Sequence, residues 1–265
     1  MPRFAANLST LYQDIEMLDR CAAAARDGFR GVEMQFPYSH PTAQWRERLQ
    51  RHDLELILIN APAGDARQGE RGLACLPGRQ EDFRAGLEQA LEYAVSLMCP
   101  RVHVMAGCPA SGSEPQALRE TYIDNLAYAA RLAAAVDVEI LIEPINPRDM
   151  PGYYLNHQAE AHAVAQATGA ANVKVQMDLY HCQIVEGDVS MRLRHYIPQG
   201  RVGHVQIAGV PLRQEPDQGE LNYPYLFQLL DELGYAGWVG CEYRPAGDTR
   251  AGLGWLHAAR RASTH

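Results

Sequence analysis

The sequence lacks the features that mark several large classes of protein. No apolar run approaches the roughly 20 residues that a transmembrane helix needs, and the first residues lack the apolar core of a signal peptide. The 6 cysteines are scattered and form no C-x-x-C pair, which argues against a zinc ribbon or a disulfide scaffold. Neither G-x-G-x-x-G nor G-x-x-x-x-G-K-[ST] opens a helix, so no nucleotide-binding loop is indicated. We expect a cytoplasmic protein without a membrane partner.

Basic residues are also scarce. Lys and Arg total 24 against 32 for Asp and Glu, which gives a net charge of −8 and a poor basis for binding a polyanion. We therefore expect no nucleic-acid partner. The chain does have a globular composition, with 265 residues of which 47% are hydrophobic. This composition predicts a single domain over residues 1–265, with two smaller domains as the alternative.

Short apolar segments alternate with segments of helical periodicity along the chain. This alternation is typical of α/β proteins in which crossover helices join parallel strands, and eight such strands predict a (β/α)₈ TIM barrel. A doubly wound open sheet has the same alternation but usually carries a nucleotide-binding loop. The predicted strands are 3–7, 31–36, 54–60, 101–107, 139–146, 173–181, 202–208 and 238–243. Predicted helices include 15–27, 80–97, 114–136, 159–167 and 223–233.

Three long irregular segments, 61–78, 147–157 and 209–222, each follow a predicted strand. In this fold the loops after the strands form the active-site face. Arg71 and Arg213 lie in two of these loops, where a guanidinium is suited to binding a substrate carboxylate. A solvated surface arginine is the alternative interpretation of each.

Polar side chains follow four successive strands at their carboxyl ends. Glu143 lies within an apolar strand, where a carboxylate must be paired, metal-bound or protonated. The strand alternation directs Asp178, Gln206 and Glu242 into the barrel near its mouth. By the same parity Gly240 points inward and leaves room beside the Glu242 carboxylate. One strand-end carboxylate is often only solvated, but four oxygen-bearing side chains in register favour a functional site.

Three converging carboxylates repel one another unless a cation lies among them. Carboxylate and amide oxygens suit a hard cation, whereas zinc more often recruits histidine or cysteine. The pattern therefore predicts a divalent metal, Mg²⁺ first and Mn²⁺ second, bound by Glu143, Asp178, Gln206 and Glu242.

Four other polar residues have more than one interpretation. His181, three residues after Asp178, is a substrate contact, a metal ligand or a helix-capping residue. His103, Glu33 and Asn60 point inward by parity, and each lines the cavity or forms a hydrogen bond within the core.

Several short motifs resemble the hydroxypyruvate isomerase family of the xylose-isomerase-like barrels. They are F-A-A-N-L-S at 4–9, G-E-R-G at 69–72, L-I-E-P-I-N at 141–146, Q-I-A at 206–208, G-E-L-N-Y at 219–223 and G-W-V-G-C-E-Y at 237–243. R-D-M-P-G-Y at 148–153 and N-Y-P-Y-L-F at 222–227 are most similar to the branch that acts on 2-oxo-tetronate.

The resemblance implies a divalent-metal isomerase with Glu143 and Glu242 as the acid–base pair and Asp178 and Gln206 as further ligands. The expected reaction converts hydroxypyruvate to 2-hydroxy-3-oxopropanoate, or 2-oxo-tetronate to 3-oxo-tetronate, through an enediolate. A small sugar acid is then the partner, and a homo-oligomer is a further expectation, since such barrels often associate.

Similarity to ketose epimerases of the same superfamily implies that Asp149, His181 and Arg213 contact substrate. Those enzymes carry histidine where this chain has Gln206, and relatives carry lysine where it has Cys108. The first departure weakens the transfer of roles from the epimerases, and the second argues against a substrate contact at position 108.

Three alternatives remain at this point. The first is a ketose C-epimerase, and the second is a non-catalytic barrel that binds sugar acids. The third is a phosphodiesterase of the abasic-site endonuclease type, which shares the D-x-x-H pattern at 178–181. The acidic chain and the few histidines and carboxylates on the early strands argue against this third function.

Overall fold

The computed structural model describes residues 2–262, which form a closed barrel of eight parallel strands in the order β1 to β8. Pairing of β1 with β8 closes the barrel, with Arg3 opposite Trp238. The α/β barrel predicted from the alternation is confirmed. The strands are β1 Arg3–Asn7, β2 Gly31–Met34, β3 Glu55–Asn60, β4 Arg101–His103, β5 Glu139–Ile142, β6 Val173–Asp178, β7 Val202–Ile207 and β8 Trp238–Cys241.

Helices surround the barrel and connect successive strands. They are α1 Arg20–Arg26, α2 Thr42–Arg51, α3 Gln80–Leu97, α4 Pro115–Ala134, α5 Gln158–Ala167, α6 Leu179–Val185, α7 Val189–Tyr196, α8 Tyr223–Glu232 and α9 Gly254–Ala262. Short 3₁₀ turns cover Met17–Asp19, Pro37–Ser39, Ala66–Gln68 and Ile197–Gln199. The prediction for 15–27 was too long, because a 3₁₀ turn precedes α1. Within residues 2–262 we find no helix that combines the length and apolar character needed to cross a membrane.

Several strands end earlier than the sequence predicts. The predicted strand 173–181 was wrong after Asp178, because the Asp178 carboxylate accepts a 2.8 Å hydrogen bond from the Tyr180 amide and thereby caps α6. Strand β5 likewise stops before Glu143, since the Ile145 amide bonds to Leu155 in a loop rather than to a neighbouring strand. The chain thus leaves the barrel close to the candidate residues.

The two ends of the barrel differ in chemistry. Ala5, Ile57 and Trp238 form a small apolar cluster near the amino ends of the strands. At the carboxyl ends, the register places Asp178 opposite Gln206 and Gln206 opposite Gly240. The polar side chains of neighbouring strands are therefore brought together at this end.

Candidate active site

A cavity of about 640 Å³ opens at the carboxyl ends of the strands. The loops after β3, β5 and β7 contribute to its wall, as the sequence predicts for an active-site face. Most of the residues singled out in the sequence line this cavity: Arg71, His103, Glu143, Asp149, His181, Gln206, Arg213, Glu242, Glu33 and Asn60. Asp178 lies beside it and is fully buried.

Three carboxylates meet at the base of the cavity. The side chains of Glu143, Asp178 and Glu242 are between 0% and 6% exposed. Burial raises the pKa of Glu143 well above its ordinary value, and repulsion from the other two carboxylates raises it further. Burial also raises the pKa of Asp178 to about 6 and that of Glu242 to about 7. Burial thus favours the protonated form of each of these carboxyl groups.

The Arg213 guanidinium lies among these acids. Its Nη2 atom is 3.7 Å from Asp178 Oδ2 and 3.5 Å from Glu242 Oε1, and its Nη1 atom is 3.6 Å from Asp149 Oδ2. Burial favours deprotonation of this arginine, but the surrounding carboxylates outweigh that effect and raise its pKa. The Tyr180 ring packs 5.1 Å from the guanidinium carbon. Arg213 is therefore an internal cation of the site and not a solvated surface arginine.

His181 contacts the acid cluster through one ring nitrogen and Asn146 through the other. Its Nδ1 atom accepts a hydrogen bond from the Asn146 amide at 3.3 Å and lies 2.6 Å from the Asn146 side-chain nitrogen. This arrangement assigns the ring proton to Nε2, which lies 3.6 Å from Asp178 and 3.9 Å from Glu143. Burial, and then Arg213, lowers the pKa of His181 well below its ordinary value. The His181 ring is therefore a neutral hydrogen-bond donor. It does not cap α6, because Asp178 is the capping residue of that helix.

A buried polar network lies next to this cluster. Glu33 Oε1 accepts hydrogen bonds from Gln206 Nε2 at 2.7 Å and from Asn7 Nδ2 at 3.0 Å. Glu33 Oε2 lies 2.7 Å from His204 Nε2, and Gln206 Oε1 accepts from Gln176 Nε2 at 2.6 Å. Glu33 is thus both a cavity residue and a hydrogen-bonded core residue.

The space at Gly240 was predicted to lie beside Glu242, and this prediction was wrong. A methyl group at Gly240 would overlap the Glu33 carboxylate, so the missing side chain accommodates Glu33. His103 lies beside the acids, with Nε2 3.7 Å from Glu143 Oε2, and burial lowers its pKa to about 3. His103 is therefore a neutral residue of the cavity wall.

The donor set fits a hard divalent cation. The carboxylates of Glu143 and Asp178 each bring one oxygen within 4.8 Å of the other and of a ring nitrogen of His181. Glu143 Oε1 and Asp178 Oδ2 are buried without a hydrogen-bond partner among residues 2–262, which is unfavourable for oxygens that bear charge. A cation bound between these oxygens would remove that cost.

Three residues of the site were missed by the sequence reasoning. Gln35 donates a 2.6 Å hydrogen bond to Glu242 Oε1, and the parity that identified Glu33 would also have found Gln35. Asn146 ends the L-I-E-P-I-N motif and also accepts a 2.8 Å bond from the Asp149 amide. Arg244 lies at the rim and also lines an adjoining cavity, but no sequence pattern distinguishes it from other surface arginines.

Arg71 and Arg244 are the exposed cations of the cavity rim. Arg71 donates a 2.7 Å bond to the carbonyl of its neighbour Glu70. The Arg244 side chain has no hydrogen bond or ion pair with the part of the chain that the structure describes. Both guanidinium groups are available to an anionic ligand.

Comparison with known proteins identifies the same barrel fold. A family model described as "Xylose isomerase-like TIM barrel" matches residues 21–259. The chain is 59% identical to the 2-oxo-tetronate isomerase of Cupriavidus necator, over 97% of the chain and 98% of that protein. It is 42% identical to the hydroxypyruvate isomerase of Escherichia coli K12, over 98% of the chain and 100% of that protein.

Solved structures share the barrel. A Brucella melitensis protein described as "AP endonuclease, family 2" matches with a TM-score of 0.95 and 46% identity, over 97% of this chain and 99% of that chain. A D-psicose 3-epimerase from Clostridium cellulolyticum matches with a TM-score of 0.79 and 16% identity, over 98% of this chain and 99% of that chain. The second likeness shows the fold alone.

Proposed function

This chain belongs to the xylose isomerase-like TIM barrel family and, within it, to the hydroxypyruvate and 2-oxo-tetronate isomerases, and from that membership we propose its reaction. The reaction is a reversible shift of a carbonyl group between neighbouring carbons of a small hydroxylated 2-oxo acid. The observation that carries this proposal is the pair of glutamates, Glu143 and Glu242, which are both buried and both line one cavity.

We propose 2-oxo-tetronate as the principal substrate, with 3-oxo-tetronate as its product. The 59% identity to the Cupriavidus necator enzyme supports this choice. Hydroxypyruvate, which would give 2-hydroxy-3-oxopropanoate, is the second candidate, and the cavity of about 640 Å³ has room for either acid. We place the reaction in the cytoplasm, because the 6 cysteines are free, as is usual in that compartment.

The two glutamates account for the proton transfers. One carboxylate removes the proton from the hydroxyl-bearing carbon, and the electron pair of that C–H bond forms the double bond of an enediolate. A proton then returns to the former carbonyl carbon from the glutamates, while the hydroxyl proton passes from one substrate oxygen to the other. Atoms and electrons balance within the substrate, so the reaction needs no redox cofactor.

The residues suited to hold a divalent cation are Glu143, Asp178, Gln206 and Glu242, with Mg²⁺ first and Mn²⁺ second. When bound, this cation supplies electrostatic stabilisation of the negative charge that develops on the substrate oxygens. All of the proposed ligand atoms are oxygens, which favours these hard metals over zinc.

The remaining polar residues position the substrate. His181 Nε2–H faces the acid cluster and is placed to donate a hydrogen bond to a substrate oxygen. Asp149 holds Arg213 through a 3.6 Å ion pair, and both line the cavity. Arg71 and Arg244 are suited to bind the substrate carboxylate, because their guanidinium groups are not committed to the acids.

The alternatives receive less support. Among residues 2–262 one cluster of three potential His, Cys, Asp or Glu ligands is found, whereas a multi-zinc phosphodiesterase needs several. The net charge of −8 is also unfavourable for DNA binding. A C-epimerase would use the same enediolate chemistry, and a binding barrel would show cation binding without turnover.

Proton NMR in D₂O tests the proposal. The Mg²⁺-loaded enzyme is mixed separately with 2-oxo-tetronate and with hydroxypyruvate, and the product carbonyl and deuterium incorporation are followed. We expect turnover, fastest for 2-oxo-tetronate, and deuterium at the carbon that receives the proton. Strict retention of the substrate proton would indicate a hydride shift or a base shielded from solvent, and would contradict a glutamate that exchanges its proton with water. If neither compound reacts or exchanges, the proposed reaction is wrong and epimerisation or binding without turnover replaces it.

A further inference from the structure

Gln206 differs from the other proposed ligands because its side chain is an amide. The two ends of an amide have nearly the same shape, but only the oxygen can bind a cation, whereas the NH₂ group can only donate hydrogen bonds. The orientation of this amide therefore decides whether β7 contributes a ligand. An aspartate or glutamate at the same position would present an oxygen in either orientation.

Glu33 determines that orientation. A carboxylate accepts hydrogen bonds, so the 2.7 Å contact with Glu33 Oε1 requires the NH₂ end of Gln206 to face β2. The oxygen end then faces Gln176, which donates to it at 2.6 Å. Gln206 Oε1 accepts this one hydrogen bond and retains a second lone pair, and Asp178 is the residue opposite Gln206 in the strand register.

The Glu33 carboxylate is itself held in place. Asn7 Nδ2 donates to Oε1 at 3.0 Å, and His204 Nε2 lies 2.7 Å from Oε2. Glu33 is 1% exposed, and Gly240 on β8 provides the space that this carboxylate occupies. Residues of β1, β7 and β8 therefore hold the Glu33 carboxylate against the Gln206 amide.

We propose that Glu33 is a positioning residue that orients the Gln206 amide, so that its oxygen faces the cation site formed with Glu143 and Asp178. This inference rests on the proposed function, because it assumes that the cluster binds a divalent cation. The alternative is that the network only fills the barrel with satisfied hydrogen bonds, in which case Glu33 would affect stability and leave cation affinity unchanged.

Two single variants separate orientation from charge, and a double variant tests whether a new oxygen ligand restores binding. Glu33→Gln removes the negative charge but keeps an acceptor oxygen opposite Asn7 and Gln206. Glu33→Met removes both the charge and the acceptor. The double variant Glu33→Met/Gln206→Glu restores an oxygen ligand that needs no orientation and also restores the lost charge. Far-UV circular dichroism and thermal melts without metal establish that each variant is folded.

The readout is the dissociation constant for Mn²⁺, measured by calorimetry and by the loss of the free-ion signal in electron paramagnetic resonance. We expect Glu33→Met to bind Mn²⁺ about 10- to 100-fold more weakly than Glu33→Gln, which is the usual effect of removing a residue that orients a metal ligand. We expect the double variant to bind within about threefold of Glu33→Gln or more tightly.

Equal affinities of Glu33→Gln and Glu33→Met would overturn the inference, because the effect would then arise from charge alone. Failure of Gln206→Glu to restore binding would overturn it as well. If Glu33→Met does not fold, Gly240→Ala tests the same point, since the added methyl displaces the Glu33 carboxylate and should also weaken Mn²⁺ binding. If the unaltered protein binds no Mn²⁺, both the proposed cation site and this inference are wrong. If the unaltered protein binds Mn²⁺ and the variants bind it equally well, only this inference is wrong.

Discussion

Arg213 Nη2 lies 3.5 Å from Glu242 Oε1, so the loop after β7 places a guanidinium directly against one of the two glutamates that we assign to proton transfer. The same nitrogen lies 3.7 Å from Asp178 Oδ2. Arg213 adopts a left-handed backbone conformation with φ of 56°, and its amide and carbonyl bond to Gly209 and Arg244 at 2.7 Å each. The loop backbone thus holds this cation next to the acids.

Replacement of Arg213 by Gln should impair both stability and activity. The change leaves buried carboxylates without their cation, which typically costs about 3 to 5 kcal/mol of unfolding free energy. Urea denaturation measures that loss. Arg51→Gln is the control, because Arg51 is 54% exposed and its pair with Glu47 should contribute less than about 1 kcal/mol. Equal losses in the two variants would contradict the assigned role of Arg213.

Glu143→Gln and Glu242→Gln should each reduce kcat by about 10²- to 10⁴-fold, because each removes a group that transfers the proton. Steady-state assays with 2-oxo-tetronate measure the effect, and circular dichroism checks that the fold is retained. Glu88→Gln, at an exposed position of α3, should have wild-type activity. Near-normal turnover of either active-site variant would disprove the acid–base assignment.

Arg71→Met and Arg244→Met should raise the KM for 2-oxo-tetronate. Loss of a charge-assisted hydrogen bond to a carboxylate costs about 1.5 to 3 kcal/mol, or about 10- to 100-fold in affinity. Arg67→Met is a matched control, because Arg67 is exposed in the same loop but does not line the cavity. An unchanged KM in both rim variants would show that the substrate carboxylate binds elsewhere in the site.

Removal of divalent metal with EDTA should abolish activity and lower the Tm, and added Mn²⁺ or Mg²⁺ should reverse both effects. A cation at about 100 times its Kd stabilises the folded state by about 2.7 kcal/mol. Asp178→Asn should lose most of this stabilisation, although asparagine can still cap α6. Calorimetric melts with and without metal measure the shift, and a metal response of Asp178→Asn equal to that of the wild type would count against the proposed ligand set.

His162 should make the protein less stable in acid. Its ring stacks on Tyr196 with centroids 4.0 Å apart, and burial, followed by the nearby Arg201 and His195, lowers its pKa from 6.5 to about 4. The unfolded chain therefore binds a proton that the folded protein does not, so this stability is present above pH 6.5 and is lost as the pH falls towards 4.

The contribution of His162 lost between pH 7 and pH 5 is about 2 kcal/mol. His162→Phe keeps a ring on Tyr196 and removes the titration, so its unfolding free energy should fall less over this range. Urea denaturation of both proteins at the two pH values measures the difference. His103 remains in the variant and acts in the same direction, so some acid sensitivity should persist. Identical pH dependence in the two proteins would show that His162 does not contribute.

Much of the fold follows from local pattern. Strand alternation predicted the barrel, and the two-residue period of a strand correctly directed Glu33, Gln206 and Gly240 into its interior. The ends of the strands were less predictable. Strand β6 ends at Asp178 because this side chain caps α6, a local interaction that apolar periodicity does not reveal.

The sequence by itself determined which residue types reach the mouth of the barrel, because the direction of a strand side chain depends only on its parity. The tertiary structure decided what those residues touch. The contacts of Arg213 with Glu242, of Glu33 with Gln206 and of His181 with Asn146 join segments that are 29, 173 and 35 residues apart. Such contacts depend on loop conformation and on which strands are neighbours, and both are settled only when the barrel closes.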